Sequence, residues 1–114
     1  MKRNRIICDA ASIRAVKDAM EVLNGGWKLP ILVSIINEPK RFKQIAKEVE
    51  GISDKMLSKE LKALEINHLV KRTVYDTFPP TVEYAVTEHA HTLSGVMMAL
   101  KDWGMLHRKK IIGK

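Results

Sequence analysis

The sequence predicts a mainly α-helical fold with one small β-hairpin, an α+β class, in a single domain that spans residues 1–114. Helical spacing of apolar residues recurs along the chain, whereas strand-like alternation is confined to two short segments, 70–75 and 82–86. Pro79 and Pro80 lie between these segments, at a place that no central strand tolerates. A chain of 114 residues has enough apolar content for one core and no room for a second.

Two helices are predicted in the first third of the chain. Four apolar residues recur at helical spacing in the first of them: Ile13, Val16, Met20 and Leu23. Asn24, Gly25 and Gly26 accept positive φ and mark its end. Pro30 falls in the opening turn of the second helix, where its missing N–H costs nothing. Because segment 31–36 is apolar nearly all round, we expect this helix to be central and buried, and to end at residues 37–39.

A third and a fourth helix are predicted to form a helix-turn-helix. The third is short, ends at Gly51 and turns four apolar residues inward: Phe42, Ile45, Ala46 and Val49. The fourth begins at Ser53, a good N-cap, and presents three leucines to the core: Leu57, Leu61 and Leu64. Glu60 is placed near its opposite, basic face, and a left-handed turn at residues 67–68 is expected to close it. Two helices joined by a short glycine turn have the sequence form of a helix-turn-helix.

The two alternating segments are predicted to pair as a hairpin whose tip is residues 77–80. Prolines at the tip stiffen the loop without removing ladder hydrogen bonds, and a rigid hairpin directly after a basic helix-turn-helix is a wing. Thr87 is expected to cap the last helix, which carries a broad apolar stripe: Leu93, Val96, Met97, Leu100, Trp103, Met105 and Leu106. A helix so apolar at the end of a small domain needs a surface to pack on.

The distribution of charge points to one surface that faces a polyanion. The net charge is +7, and the basic residues of two tails, about 1–5 and 108–114, account for it. Between the tails the 13 remaining basic side chains balance 13 acidic ones. Basic residues nevertheless predominate in segment 40–72, while segment 73–107 has Lys101 alone against four carboxylates.

Several other classes of protein are excluded by the sequence. The longest aliphatic run is far shorter than the roughly 20 residues of a membrane span. With no secretory apolar segment and one cysteine, the chain is expected in the cytoplasm. It has no glycine-rich phosphate loop, nucleophile elbow or His/Glu metal pair, so we expect neither an enzyme nor a cofactor. His89 and His91 are two apart on a predicted helix and do not share a face, which argues against a metal site.

Six stretches resemble, in order and spacing, the HxlR-type branch of the MarR-like winged-helix transcriptional regulators of bacteria. They are VLNGGWKLPIL, RFKQI, ISDKMLSKELKALE, LVKRTVY, FPPTVEYAVTE and LKDW, and they cover about residues 8–107. The chain differs from the usual family pattern in having Gly26 before Trp27 in place of lysine, and Thr81 in place of a wing arginine. The resemblance implies a homodimer, built mainly by the first and last helices, that places two recognition helices in successive major grooves of a pseudo-palindromic operator.

The fourth helix is predicted to supply the DNA-reading surface. Lysines attract phosphates and bond guanine edges, and serine hydroxyls bond either group. Five residues form this surface: Ser53, Lys55, Ser58, Lys59 and Lys62. Four more are expected to clamp the DNA backbone: Lys43, Gln44, Lys71 and Arg72. For Arg72, an ion pair with Glu83 across the hairpin is an equal alternative, and taken alone the lysines of the fourth helix also fit an ordinary solvated face.

The resemblance also assigns the dimer interface and raises the question of a signal. The residues expected in the interface are Ile13, Val16, Met20, Leu93, Met97, Leu100 and Trp103. Cys8 has two interpretations: a redox or electrophile sensor whose thiolate is favoured by Arg5 and the start of the first helix, or a small, partly buried residue near the interface. Trp27 and Trp103 are expected in core or dimer contacts rather than in a ligand cage.

The sequence therefore predicts a sequence-specific regulator of transcription that binds double-stranded DNA as a homodimer. Repression is the expected mode because it is the more frequent one in the family, and the signal is an oxidant or an unknown small molecule. The alternative is a winged-helix adaptor that binds proteins and has no salt-sensitive affinity for duplex DNA.

Overall fold

Helices and one antiparallel hairpin form the chain in the computed structural model, which describes residues 8–113. The elements in chain order are α1 (Ala10–Val22), α2 (Lys28–Ile35), α3 (Phe42–Glu48), α4 (Asp54–Ile66), β1 (Val70–Tyr75), β2 (Thr81–Val86), α5 (Glu88–His91) and α6 (Ser94–Ile112). The predicted fold class, mainly α with a small hairpin, is confirmed. Among the residues described, no helix is long and apolar enough to cross a membrane.

The core is built around α2. Ile31, Leu32 and Ile35 are buried there, as expected for a central helix. The opposite face of α2 is not buried, since Val33 is exposed and Ser34 and Ile36 are only partly covered. Inward-facing residues of the other elements complete the core: Leu23, Ile45, Val49, Leu57, Leu61, Leu64, Leu69, Val70, Ala90 and Met97. The predicted apolar stripes of α3 and α4 thus meet α2 at the centre of the molecule.

The turn between α3 and α4 and both ends of α4 follow the local sequence. Gly51 has φ +87°, a conformation that side chains with a Cβ rarely adopt, so it is suited to ending the preceding helix. Ser53 caps α4 by accepting a hydrogen bond from the backbone N–H of Met56 at 3.1 Å. At the other end His68 has φ +61°, the left-handed residue expected there. These features confirm the predicted helix-turn-helix.

The two predicted strands form a hairpin with its prolines at the tip. Val70 pairs with Val86 and Tyr75 with Thr81, leaving residues 76–80 as the loop. At the tip the Thr77 hydroxyl donates to the Pro79 carbonyl at 2.7 Å and lies 2.9 Å from the Thr81 hydroxyl. At the base, Lys40 and Tyr84 exchange two backbone hydrogen bonds of 3.0 and 2.8 Å. The wing is therefore tied to the segment that precedes α3.

The C-terminal region differs from expectation at one junction. Thr87 does accept a capping hydrogen bond from Ala90 N at 3.1 Å, but it caps the short α5 and not the long last helix. The Thr87 hydroxyl also donates to the His68 carbonyl at 2.6 Å, which ties α5 to the end of α4. The Thr92 hydroxyl bonds back to the carbonyl of His89, a local bond that competes with a continuing helix. A turn at residues 92–93 consequently separates α5 from α6. Ala90 of α5 is buried.

Two helices leave apolar residues outside this core. No residue of α1 is buried, and Ile13, Val16 and Met20 are between 57% and 64% exposed. On α6, Leu100, Trp103 and Leu106 are between 48% and 65% exposed. A 13-residue amphipathic helix is marginally stable in water without a surface to pack on. The apolar faces of α1 and α6 are thus available for packing against another molecule.

Candidate nucleic-acid interface

The outer face of α4 carries the predicted basic surface. Leu57, Leu61 and Leu64 are fully or almost fully buried, so the side of α4 that carries them faces the core. The four predicted residues within the helix are consequently turned to solvent: Lys55, Ser58, Lys59 and Lys62. Ser53 is exposed at the N-terminal end of the same helix, where its oxygen accepts the Met56 hydrogen bond. The Ser53 hydroxyl can still donate a hydrogen bond, because a serine hydroxyl is both a donor and an acceptor.

Lys43 and Gln44 lie exposed in the first turn of α3. The Gln44 side-chain oxygen accepts a hydrogen bond of 2.9 Å from the backbone N–H of Arg41, so it is committed to capping α3. The amide NH2 group of Gln44 is therefore the part of the side chain that can donate a hydrogen bond to another molecule. Both residues line an open cleft of about 760 Å³ that Pro80, Val82 and Glu83 bound on the wing side. The start of α3 thus faces the second strand of the wing.

Arg72 does not form an ion pair with Glu83, the alternative to a DNA contact. The register pairs Arg72 with Tyr84 and Glu83 with Thr73, so the Arg72 and Glu83 side chains leave opposite faces of the hairpin. Glu83 lies on the face of the hairpin that carries Thr73 and Tyr75. A hydrogen bond between Tyr75 and Glu83 raises the pKa of Tyr75. Arg72, Ser58 and Lys62 line one cleft of about 390 Å³ between α4 and the hairpin. Lys71 is also exposed at the wing base.

The position of Glu60 on α4 was predicted wrongly from the sequence. Glu60 was expected near the basic face, but only 6% of its surface is exposed. Its Oε1 lies 3.1 Å from Nζ of Lys28, which is 7% exposed. The same ammonium donates to Oδ1 of Asn24 at 2.8 Å and to its backbone carbonyl at 3.4 Å. Glu60 is three residues after Leu57 and four before Leu64, a spacing that places it on the inner face and could have revealed its burial.

A second charged cluster connects α2, α3 and the segment before α3. Lys40 Nζ lies 2.6 Å from Glu48 Oε1, and the Ser34 hydroxyl donates to the same oxygen at 3.1 Å. These hydrogen bonds, the one from Lys40 first, lower the pKa of Glu48 below its ordinary value. Because Lys40 also pairs with Tyr84 through its backbone, this cluster supports the base of the wing.

Cys8 is exposed at the beginning of α1. It directly precedes Asp9, whose carboxylate caps α1 by accepting a 2.8 Å hydrogen bond from Ser12 N. Hydrogen bonding by Ser12 lowers the pKa of Asp9. Arg5, which was expected to favour the Cys8 thiolate, lies outside the described residues. Within residues 8–113, no group of three His, Cys, Asp or Glu side chains is arranged to hold a metal ion.

The residues predicted to form a dimer interface differ in their exposure. Ile13, Val16, Met20, Leu100 and Trp103 are exposed, and the Trp103 ring stacks on His107 with 4.8 Å between ring centroids. Leu93 is partly buried against the core. Met97 is only 5% exposed and belongs to the core of its own chain, so little of its surface is left for a partner. Met97 faces the core because it lies one turn after Leu93, on the inner side of α6. Trp27 is also partly buried against the core.

Comparisons with known proteins agree with this architecture. The profile of the HxlR-like helix-turn-helix family matches residues 22–111. The chain is 33% identical over 99 residues to the uncharacterized HTH-type transcriptional regulator YtcD of Bacillus subtilis strain 168, and the match covers 87% of this chain and 79% of YtcD.

Solved structures show the same likeness. The redox regulator HypR in its reduced form superposes with a TM-score of 0.80 at 32% identity, over 88% of this chain and 99% of HypR. A protein assigned to the MarR family of transcriptional regulators, from Porphyromonas gingivalis W83, gives a TM-score of 0.78 at 32% identity, over 89% of this chain and 97% of its own. YtcD and the Porphyromonas gingivalis protein are named as regulators of transcription, a class of proteins that are not enzymes. The chain therefore belongs to the HxlR-like helix-turn-helix family.

Proposed function

We propose that this protein binds double-stranded DNA sequence-specifically as a homodimer and represses transcription from a pseudo-palindromic operator. The observation that carries the proposal is the outer face of α4, where Lys55, Ser58, Lys59 and Lys62 are all exposed opposite a buried leucine stripe. Because the chain belongs to a helix-turn-helix family, we assign this face to DNA binding and not to an ordinary solvated helix surface. Repression is proposed from the family resemblance.

The dimensions and chemistry of α4 suit the major groove. Its 13 residues make a helix about 20 Å long, and the major groove of B-DNA, about 12 Å wide, admits a helix. Lysine ammonium groups neutralise phosphates and donate to guanine O6 and N7, while the Ser58 hydroxyl bonds either a phosphate or a base edge. The N-terminal end of α4 adds the positive end of the helix dipole beside Ser53.

Backbone contacts are proposed for the base of the wing and for α3. Arg72 lines the cleft between α4 and the hairpin together with Ser58, Lys62 and Glu65, so a phosphate bound near the two cations would contact groups from both elements. Lys43 of α3 and Lys71 of β1 are also exposed. The wing beyond Arg72 has no lysine or arginine and carries Asp76 and Glu83. Electrostatic attraction to DNA is therefore assigned to the wing base and not to its tip.

Dimerisation is proposed through α1 and α6. Their exposed apolar residues are too numerous to be scattered surface side chains, and α1 has no buried residue in the single chain. A twofold axis between two copies would bury both faces together and present two α4 helices to the DNA. For recognition of successive major grooves, the two α4 helices must be about 34 Å apart.

Sensitivity to oxidants is proposed as the signal, acting through Cys8. Its exposed thiol at the start of α1 lies beside the proposed dimer helix, so a modification there would act on the interface that sets the α4 spacing. The likeness to HypR, a redox regulator, supports this proposal. Treatment with diamide should change duplex affinity in the wild-type protein and leave the Cys8→Ser variant unaffected. An equal response of both proteins would remove Cys8 from the mechanism.

The proposal is tested by selection of duplexes from a random-sequence pool with the full-length protein. We expect enrichment of an inverted repeat whose half-sites lie about 10 base pairs apart, centre to centre, as the twofold dimer requires. A matched selection with a variant that lacks three lysines of α4, at positions 55, 59 and 62, should enrich no such repeat. Failure of the wild-type protein to enrich any sequence would contradict sequence-specific binding and favour the protein-adaptor alternative.

A further inference from the structure

The ion pair between Lys28 and Glu60 lies inside the protein, on the inner side of the helix proposed to read DNA. The two side chains are each 8% exposed, and the distance from Nζ to Oε1 is 3.1 Å. Lys28 and Glu60 are also the only charged residues that the described part of the chain buries. Burying two charges is unfavourable unless their geometry and hydrogen bonds compensate, so this pair invites a functional explanation.

The hydrogen bonds of the Lys28 ammonium join three elements. Its three protons meet three acceptors: Glu60 Oε1 from α4, and Oδ1 and the backbone carbonyl of Asn24 from the turn that ends α1. Lys28 itself begins α2. Gly25 lies against the other side of Glu60, since a Cβ at this position would be 3.8 Å from Glu60 Oε2. The end of α1, the start of α2 and the middle of α4 thus meet at one ammonium group.

These hydrogen bonds add a directional constraint on the rotation of α4 to the apolar packing of its leucines. Contacts of Leu57, Leu61 and Leu64 with the core are apolar and have no strong directional preference. Hydrogen bonds are directional, and a buried polar contact is one known means of fixing the register of a helix. Along α4, Glu60 lies on the side opposite Ser58 and Lys62, because two residues correspond to a rotation of about 200°. A bond that fixes Glu60 therefore fixes where those two side chains point.

We propose that Glu60 and Lys28 are positioning residues, which fix the rotation of α4 relative to the end of α1 and thereby set the sequence selectivity of DNA binding. This inference rests on the proposed function. It assigns the ion pair to selectivity and not to affinity in general, since phosphate contacts depend on the number of exposed cations and tolerate small rotations. Base contacts require defined donor and acceptor positions and do not tolerate small rotations of α4.

The test uses the full-length protein with both partners replaced, Lys28→Met with Glu60→Met. This double variant keeps the net charge and fills similar volume, so the fold need not be lost with the pair. The control is Lys40→Met with Glu48→Met, which removes the more exposed pair at the wing base and also keeps the net charge. Each protein is titrated by fluorescence anisotropy against the duplex selected by the wild-type protein and against a scrambled duplex, after urea unfolding has confirmed a folded state.

For the Lys28/Glu60 double variant we expect affinity for the selected duplex to fall roughly tenfold or more, as for one displaced base contact. Affinity for the scrambled duplex should remain within about twofold, because the phosphate contacts persist. The control should retain the wild-type ratio of the two affinities. If this double variant is not folded at the titration temperature, a second charge-neutral replacement, Lys28→Leu with Glu60→Leu, is compared in the same way.

Two results would overturn the inference. One is a folded double variant, with methionine or leucine at both positions, that keeps the wild-type ratio of affinities; the other is an equal loss of that ratio in the Lys40/Glu48 control. Neither result contradicts the proposed function, which fails separately if the wild-type protein prefers no duplex over a scrambled one.

Discussion

Lys28 and Glu60 are 32 residues apart in sequence, yet Nζ of one lies 3.1 Å from Oε1 of the other in the interior of the molecule. Removal of one partner leaves the other charge buried without an opposite charge beside it. We expect Lys28→Met or Glu60→Leu alone to lower the free energy of unfolding by about 3 kcal/mol or more. Urea unfolding followed by circular dichroism measures this loss.

The double replacement of Lys28 and Glu60 by methionine separates the cost of an unpaired charge from the value of the pair. Because an apolar pair needs no desolvation, its free energy of unfolding should lie within about 1 kcal/mol of the wild-type value, or above it. A double variant as unstable as the single ones would show that the pair itself, with its bonds to Asn24, stabilises the fold.

Lys59 tests the outer face of α4. Its side chain is exposed and lies on the proposed DNA-reading surface, so Lys59→Ala should weaken duplex binding and leave folding intact. If Lys59 contacts a phosphate, the slope of log Kd against log salt should fall by about one. The control is Lys101→Ala, an exposed lysine of α6 that should change neither quantity. Unchanged affinity for Lys59→Ala would remove this residue from the proposed contacts.

Leu100 tests the proposed dimer interface. This side chain is 48% exposed on α6, outside the core of its own chain, so replacing it should not disturb the fold. A charge at this position would have to be buried without a partner in the dimer, and we expect Leu100→Asp to give monomers in sedimentation velocity. Val74→Asp is a matched control, since Val74 is 53% exposed but lies on the wing. A Leu100→Asp protein that stays dimeric would exclude this part of α6 from the interface.

Glu48 provides a prediction for the dependence of stability on pH. Hydrogen bonds from Lys40 and Ser34 lower the pKa of Glu48 in the folded protein below its ordinary value of 4.5. The unfolded chain therefore takes up a proton at this group at a higher pH than the folded one. The stabilisation is present above about pH 5 and is lost as the pH falls through the lower, folded pKa.

Glu48→Gln should reduce the loss of stability between about pH 5 and pH 3 in urea unfolding. Glu50→Gln, at an exposed residue two positions away, is the control and should follow the wild-type curve. Identical curves for all three proteins would show that the Lys40 and Ser34 bonds to Glu48 do not contribute to acid stability.

Features with a local cause could be predicted from the sequence. The N-cap at Ser53, the turn at Gly51 and the left-handed residue His68 follow from preferences of single residues, and all three occur as expected. The hairpin loop follows from Pro79 and Pro80, which no ladder accommodates. The basic face of α4 follows from the period of its leucines. In each case the residues that decide the structure are neighbours in sequence.

Features that depend on distant residues could not be predicted in this way. The spacing of Glu60 from the leucines of α4 indicates its inner face, but nothing local to α4 identifies Lys28, 32 residues away, as the partner of its charge. Thr87 has the properties of an N-cap, but the His89 carbonyl and the buried Ala90 decide that the helix it caps is short. Met97 lies on the same apolar stripe as Leu100, and the packing of α6 decides which of them enters the core and which stays exposed.

The most direct test of the account is the anisotropy of a labelled duplex from the region upstream of the protein's own gene, compared with a scrambled duplex over a salt series. We expect tighter binding to the upstream duplex that persists near physiological salt, with a steep dependence of log Kd on log salt for both. Equal, weak binding to both duplexes that disappears as salt rises, together with a selection that enriches no sequence, would contradict a sequence-specific regulator.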